Sequence, residues 1–588
     1  MCGIIGAAIK RGNAAAEVYE GLKRLEYRGY DSSGLSVLNN GKIATVKRGG
    51  KVEAIEGGVS ALSGSVAIGH TRWATHGPAN DINAHPHLAG RFSLVHNGII
   101  ENFSEIKEYL IKEGVEFLSD TDSEVIVKLI EKNYNGDLLA AVSKSVMSLK
   151  GSFALAILCE GFEGFVAVKY NSPAVVGFSE NGIYLCSDVP ALPAEVTSVC
   201  VPEDGDIAVI TSDFARFYDF SLKRVNRVRR KISLKKISAD RGGYAHYMQK
   251  EINEESRTVK DTAESFLRSA DLKKLTTLIR SADKIVITGC GTAYNAGLIG
   301  KRYFEESGAK HVTCEIASEL RSFPPKVTPQ TVVLAVSQSG ETADTLEAAR
   351  ILKNGGAKIV AITNCGYSAI TGIAHTVVPV CAGAEICVAA TKSYSGQLAA
   401  LYLLSRLGGD VLTAQSGLLK ICADIEKTCN TDIDEVAAIC ADSSAVFFLG
   451  RGVDYPVAVE ASLKLKEISY IFSAGYPAGE LKHGTLALID EKTLSIFIIT
   501  DPALEEKCEN AVEQVISRRG KAAVFTTLPQ VAKKLESRVK VCLLSEVKTE
   551  LSPFITSAAL QLVAYKTAVI LGRDPDKPRN LAKSVTVE

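Results

Sequence analysis

Two stretches of the 588-residue chain repeat one pattern. KIVITGCGTAYNAG, from Lys284, and AVFFLGRGVDYPVA, from Ala445, each read as an apolar strand, then G-x-G-x-x-Y, then a helix start. The next strand recurs in both halves, TVVLAVSQSGET from Thr331 and TLSIFIITDPAL from Thr493. A duplicated strand–glycine turn–helix unit constrains the fold severely, because such strands bury both faces and return through crossover helices. Two doubly wound α/β domains of related fold are expected. The G-x-G is a weak nucleotide signal, since the third glycine and the later acidic residue are missing.

Before about residue 222 the pattern differs. Strand-like runs such as SVAIGHTRWAT and FSLVHNGII alternate with helical ones such as DSEVIVKLIEKNY. Residues 222–243 then carry nine basic residues against one acidic. No aromatic is interleaved, so a solvated linker is expected rather than a nucleic-acid patch. Over the whole chain 67 basic residues balance 67 acidic ones, which favours no polyanionic partner. The 14 cysteines include no C-x-x-C, and unpaired thiols in a large chain point to a reducing, cytoplasmic setting. The start is not a secretory signal, and the longest uncharged run, Ile359–Ala384, contains Asn364, His375, Pro379 and several glycines. No membrane span is expected.

Three groups of residues carry chemistry. Cys2 becomes residue one if Met1 is removed, which places a thiol beside a free α-amine that can act as its base. A small residue opening a strand is the plainer alternative. Arg72 in HTRWATHG is a planar fork suited to a carboxylate, and HNGII offers an Asn97 amide and a Gly98 N–H as oxyanion donors. TDSE reads as a capping box, Thr121 with Glu124, leaving Asp122 on the first turn to meet an ammonium group. His85 and His87 flank a proline, but no third metal ligand is spaced to help them.

The second group is SQSGETADT, a hydroxyl-rich turn between an apolar strand and an amphipathic helix. Ser337, Gln338, Ser339 and Thr342 surround free helix N–H groups, which suits a phosphate; without a lysine it is no P-loop. A Ser/Thr N-cap explains one hydroxyl but not three. The duplicate turn, TDPALEE, has a carboxylate and a proline and should not hold phosphate. In the third group Glu460, Lys464 and Glu467 fall on one helical face, either as a solvated ion-pair ladder or as proton-moving groups with His483 downstream. The chain then closes with GRDPDKPRNLAKSVTVE, stiff and partly apolar, around Lys583.

MCGIIG, LEYRGYDSSG, HTRWATHG, HNGIIEN and TDSE together resemble the N-terminal-nucleophile glutamine amidotransferases. The resemblance implies a four-layer αββα sandwich that hydrolyses glutamine to glutamate and ammonia through a thioester on Cys2. It implies Asn97 and Gly98 as oxyanion hole, Arg72 and Asp122 on the glutamine α-carboxylate and α-amine, Thr75 and His76 in the substrate loop, and Trp73 as a gate. HYMQKEI, GCGTAYN, SQSGETADT, CVAATKSY, EASLKLKEISY, GELKHG and PRNLAKSVTVE resemble the sugar isomerase (SIS) domain pair that is joined to such a glutaminase. That pairing implies transfer of glutamine nitrogen to fructose 6-phosphate, giving glucosamine 6-phosphate, with no metal or organic cofactor.

It further implies Thr292, Ser337, Gln338, Ser339 and Thr342 around the phosphate, and Val388 and Ala582 on the sugar through backbone groups. Glu467, with Lys464 beside it, would move the proton between C1 and C2. His483 would open the ring from a partner subunit, hence a homodimer, and Lys583 would form a Schiff base. The expected division is 1–222 glutaminase, 223–245 linker, 246–428 first SIS domain, 429–571 second SIS domain and 572–588 catalytic tail. Eukaryotic members carry a long glutaminase insertion that is not visible here. Ala293, Ala390 and Thr485 depart from the family's usual serine, serine and proline, which leaves open a different ketose phosphate. An amidotransferase acting on a diphosphate or an adenylate would need a loop that is not found. A sugar-phosphate-sensing regulator built on SIS domains would not need Cys2, Asn97, Glu467 and Lys583 together.

Overall fold

A computed structural model describes residues 2–74, 76–232, 241–309 and 311–586. It divides into two compact units, Met1–Ala239 with Ala582–Glu588, and Asp240–Leu581.

The first unit stacks an eight-stranded sheet on a seven-stranded one, with helices outside. Gly3–Ile9 and Val66–Arg72 lie side by side in the larger sheet, and Phe92–Ile100 pairs with Gly151–Cys159 in the smaller. Ile4, Ile68, Val95, Ala156 and Phe165 fill the space between sheets. On the outer face of the first sheet lies the helix Ala14–Leu25, so close that a Cβ on Gly21 would stand 2.1 Å from Ile5 Cδ1. The helices Glu124–Asn133 and Leu138–Val146 cover the second sheet. With both faces covered, Gly3–Ile9 is buried throughout, which is why its sequence is a continuous apolar run rather than an alternation. This is the expected αββα sandwich.

The basic stretch is structured up to Ile232. Arg224–Val225 and Arg230–Lys231 each add a short strand, Arg227 forms a bidentate pair with the buried Asp206 at 2.6 and 2.7 Å, and Arg229 stacks over Phe178. A buried carboxylate and a sheet edge draw these cations onto the first unit; 233–240 lie outside the described residues.

In the second unit the duplication appears as two five-stranded parallel sheets. Each has the order 2-1-3-4-5 in its own chain sequence. The two copies share one continuous core, which runs from Ile285, Leu334 and Leu401 to Val446, Ile496 and Leu562. At its middle the helix Lys392–Ser405 is buried along its whole length, and among its buried polar residues Lys392 pairs with Glu254 at 2.6 Å and Ser395 with Glu255 at 2.8 Å. The stretch Thr549–Ile570 is long and apolar enough to cross a membrane by length and composition. Most of it is buried in this core instead.

Candidate active sites

In the first unit, antiparallel register sets Gly3 opposite Thr71, so Cys2 meets the end of the strand that carries Arg72. The Trp73 N–H points to Cys2 Sγ at 3.4 Å. Burial pushes the Cys2 thiol up, opposed by the N-terminal charge, the Trp73 backbone and Arg72. His70 Nε2 meets the His96 carbonyl at 2.8 Å and ties the two sheets together just before Asn97 and Gly98. Among the described residues the buried Asn97 Nδ2 has no hydrogen-bond partner, an idle donor that an oxyanion would satisfy. Gly98 has φ +143°, and a Cβ there would lie 1.9 Å from the Ser152 carbonyl oxygen. We predict that Gly98→Ala destabilises the unit by several kcal/mol and abolishes glutamine hydrolysis, read by thermal unfolding and glutamate release.

Arg72 is buried and donates to the carbonyls of His76, Gly77 and Pro78, so it shapes the loop that follows it. His76 packs edge-on against Phe103, and Trp73 against Tyr30. Thr75 lies outside the described residues. Asp122 is buried and accepts from Ile100 N–H at 2.9 Å, which sets its carboxylate beside the strand that carries Asn97 and Gly98.

The capping-box reading is corrected. The helix begins at Glu124 with Ser123 as N-cap. Thr121 Oγ1 bonds His87 Nε2 at 3.1 Å, while Glu124 reaches back to Leu118 N–H and Ser119 N–H. A buried imidazole thus outcompetes the helix terminus for the threonine. Asp122 therefore precedes the helix instead of sitting on its first turn.

His70, His85, His87 and His96 are all buried, and the His70–His85 and His85–His87 rings lie 4.0 and 4.5 Å apart. Burial drives His70 down to about 3, His85 and His87 well below the ordinary value, and His96 down as well. Burial therefore favours the neutral form of all four. Among the described residues no His, Cys, Asp and Glu group is arranged to hold a metal. The unfolded chain binds protons on these rings below about pH 6.5 and the native chain does not. The depressed native pKa values should therefore make the first unit lose stability as pH falls below about 6.5, with His70 contributing down to about 3. Calorimetric unfolding of the first unit across pH 7.5 to 4.5 checks this.

In the second unit the first copy changes crossover direction between strands Lys284–Gly289 and Thr331–Val336. The crevice at their carboxyl ends is where such sheets take ligands. Thr292 follows one strand and Ser337 the other, and Cys290 Sγ approaches Thr345 Oγ1 at 3.8 Å, joining the two turns. Ser337 Oγ receives Gly340 N–H at 3.0 Å and pairs with Thr342 Oγ1 at 3.0 Å. Thr342 is the N-cap residue but makes no side-chain cap bond, so the hydroxyls organise the turn rather than the helix end. Ser339 receives Glu341 N–H, and the Gln338 carbonyl anchors Asn364 N–H.

In the second copy the matching turn is filled from within. Asp454, aligned with Ala293, accepts from Thr500 N–H at 2.9 Å and Thr500 Oγ1 at 2.6 Å. Burial raises Asp454 to about 7.

The helix Asp454–Ser469 carries the third group. Glu460 and Lys464 are each only 1% exposed, so the solvated-ladder alternative fails for both. Lys464 Nζ lies 3.4 Å from Glu460 and 2.7 Å from Glu467, and donates to Thr292 Oγ1 at 2.9 Å. Asn295 and Thr292 donate to the two Glu460 oxygens at 2.7 and 3.0 Å. A helix of one copy thus inserts its charges into the first turn of the other. Burial alone would lower Lys464, but Glu467 and Glu460 outweigh it and hold it above its ordinary value. Burial raises Glu460, against Lys464 and Asn295. Lys464 is therefore a fixed cation that keeps Glu467 oriented.

His483 is exposed on the turn Glu480–His483, and among the described residues no hydrogen bond or ion pair joins it to this triad. Val388 N–H is taken by the Asp576 carbonyl at 3.2 Å, leaving the Val388 carbonyl for any sugar contact. Ala582 and Lys583 are half-buried and group with the first unit. Sequence reasoning placed Lys464 on the face of Glu460 but singled out neither Asn295 nor the pairing of Thr292 with Glu460, because those two contacts are remote along the chain.

A family model described as a SIS domain matches residues 278–406 and 439–571, and one described as a glutamine amidotransferase domain matches 70–193. A glutamine–fructose-6-phosphate aminotransferase (isomerizing) of Clostridium acetobutylicum is 40% identical over all of both chains, and that of Aquifex aeolicus 41% over all of both. The chain belongs to the glutamine–fructose-6-phosphate aminotransferase family. Among solved structures, the C-terminal domain of the Francisella tularensis family member matches with TM-score 0.53 at 33% identity, covering 58% of this chain and all of that one. A tagatose-6-phosphate ketose/aldose isomerase described as putative, from Clostridium novyi, matches with TM-score 0.53 at 18% identity over 60% of this chain and 96% of that one; it shares the fold.

Proposed function

We propose that this chain transfers the amide nitrogen of glutamine to fructose 6-phosphate, giving glucosamine 6-phosphate and glutamate. The observation that carries the reading is the buried Lys464, held between Glu460 and Glu467 against the Thr292 turn of the other copy. A regulator that only senses a sugar phosphate has no use for a carboxylate held on an ammonium at the crevice.

In the first unit, the Cys2 sulfur adds to the glutamine amide carbon while Asn97 Nδ2 and Gly98 N–H take the developing oxyanion. The free α-amine takes the thiol proton and passes it to the amide nitrogen, collapse breaks the C–N bond so that ammonia leaves, and water cleaves the thioester to glutamate and the thiol. Arg72 and Asp122 orient the substrate's carboxylate and amine, and Trp73, Thr75 and His76 form the loop around it. In the second unit, Ser337, Gln338, Ser339, Thr342 and Thr292 hold the phosphate. His483 of a second copy opens the ring, so the working form is a homodimer. The Lys583 amine condenses with the C2 ketone and releases water. Ammonia then displaces the lysine, leaving a C2 imine. Glu467 takes a proton from C1 and returns it to C2, which makes the 2-amino aldehyde. All 14 cysteines are free, which suits a cytoplasmic enzyme.

The test is glutamine labelled with ¹⁵N at the amide, given with fructose 6-phosphate. Glucosamine 6-phosphate carrying the label is expected. Unlabelled product, or none, overturns the proposal. Other ketose phosphates in the same assay show whether Ala293 and Ala390 alter the acceptor.

A further inference from the structure

The segment Arg573–Arg579 is held to the second unit at two points. At the first, Tyr470 ends the helix that carries Lys464 and Glu467. Its ring lies under two guanidinium groups, Arg573 at 5.3 Å and Arg579 at 4.3 Å, and its hydroxyl accepts Arg579 N–H at 2.8 Å. Tyr470 adopts φ +65°, a left-handed conformation that a bulky residue seldom takes, so something holds it there. At the second point, the buried Asp576 carboxylate accepts Tyr247 N–H and Met248 N–H, each at 2.8 Å, while its carbonyl accepts Val388 N–H at 3.2 Å. Cys387 Sγ also reaches the Pro575 carbonyl at 3.3 Å. Pro575 and Pro578 restrict the backbone between the two points.

We propose that Tyr470, with Asp576, is a positioning residue for the tail lysine. The pair staples the tail's lead to the end of the proton-transfer helix and to the Val388 loop. Three residues lie between Arg579 and Lys583, so their Cα atoms stand no more than about 14 Å apart. Fixing Arg579 therefore limits, by chain length alone, how far the Lys583 backbone can stray from its anchor on Tyr470. The inference rests on the Schiff-base role proposed above for Lys583. It adds that the amine's delivery is set three residues beyond Glu467, by a residue that need not touch substrate.

The experiment uses the full chain with Tyr470→Ala, Tyr470→Phe and Asp576→Asn. Borohydride trapping with fructose 6-phosphate reads the imine at Lys583. Sorbitol 6-phosphate, which has no carbonyl, reads the phosphate turn alone by calorimetry. Tyr470→Ala should lower trapping and ketose conversion at least ten-fold, leave sorbitol 6-phosphate affinity within two-fold, and leave glutamine hydrolysis intact. Tyr470→Phe keeps the ring beneath both arginines and should recover most of the trapping. If Tyr470→Ala does not fold, Asp576→Asn keeps the side chain's volume and should lower trapping without lowering sorbitol 6-phosphate binding. Trapping at the unmodified level in the variants overturns the staple. So does a parallel fall in trapping and polyol phosphate binding, which marks a merely structural role. Absence of a Lys583 adduct in the unmodified protein overturns the Schiff-base reading itself, and the staple with it.

Discussion

Replacing Cys2 by alanine is expected to lower glutamine hydrolysis by at least about a thousand-fold, measured as glutamate release, while sugar-phosphate binding by the second unit is unchanged. The size of the loss follows from how the site is assembled. The proposed oxyanion donors, Asn97 Nδ2 and Gly98 N–H, remain in the variant, but without the sulfur the proposed thioester cannot form and only unaided water can attack. Serine at the same position tests nucleophile strength against position, and its higher pKa should leave it nearly as slow. Burial raises the Cys2 thiol, so hydrolysis by the unmodified chain should climb as pH rises through the neutral range. The N-terminal charge pulls the other way.

Lys464→Met is expected to cost about 3–5 kcal/mol of stability and to abolish sugar conversion. The methionine fills most of the lysine's volume, so the effect is electrostatic. Glu460 keeps Asn295 and Thr292 but loses its cation in an almost fully buried position, and Glu467 loses the group that orients it. The sign with pH is definite. Burial already raises Glu460, and removing Lys464 raises it further. A carboxyl whose native pKa lies above its unfolded value is least costly when both states are protonated, so the deficit should be small near pH 4 and grow as pH rises. Urea unfolding at several pH values reads it. Lys464→Met with Glu460→Gln should regain much of the stability and none of the activity, because it removes the buried charge without restoring the fixed ammonium.

The duplication was legible in the sequence because strands buried on both faces leave continuous apolar runs, and glycines mark the turns between them. From that alone came the two parallel sheets. The hydroxyl turn of the first copy and the carboxylate in the second were equally plain, and Cys2, Asn97 and Gly98 stood next to strands whose ends could be read. These are local features, set within a few residues by backbone geometry and hydrophobic period. Tertiary structure decided the rest. Only folding could show that Glu460 meets Thr292 and Asn295, that Asp454 fills its own turn, or that Thr121 serves His87 instead of a helix end. The same holds for the basic stretch after residue 222, which binds Asp206 and a sheet edge where its composition reads as solvated. Each of these depends on which remote group is nearest once water is removed, and a polar side chain in a buried place takes the best partner there, whatever its sequence neighbours offer.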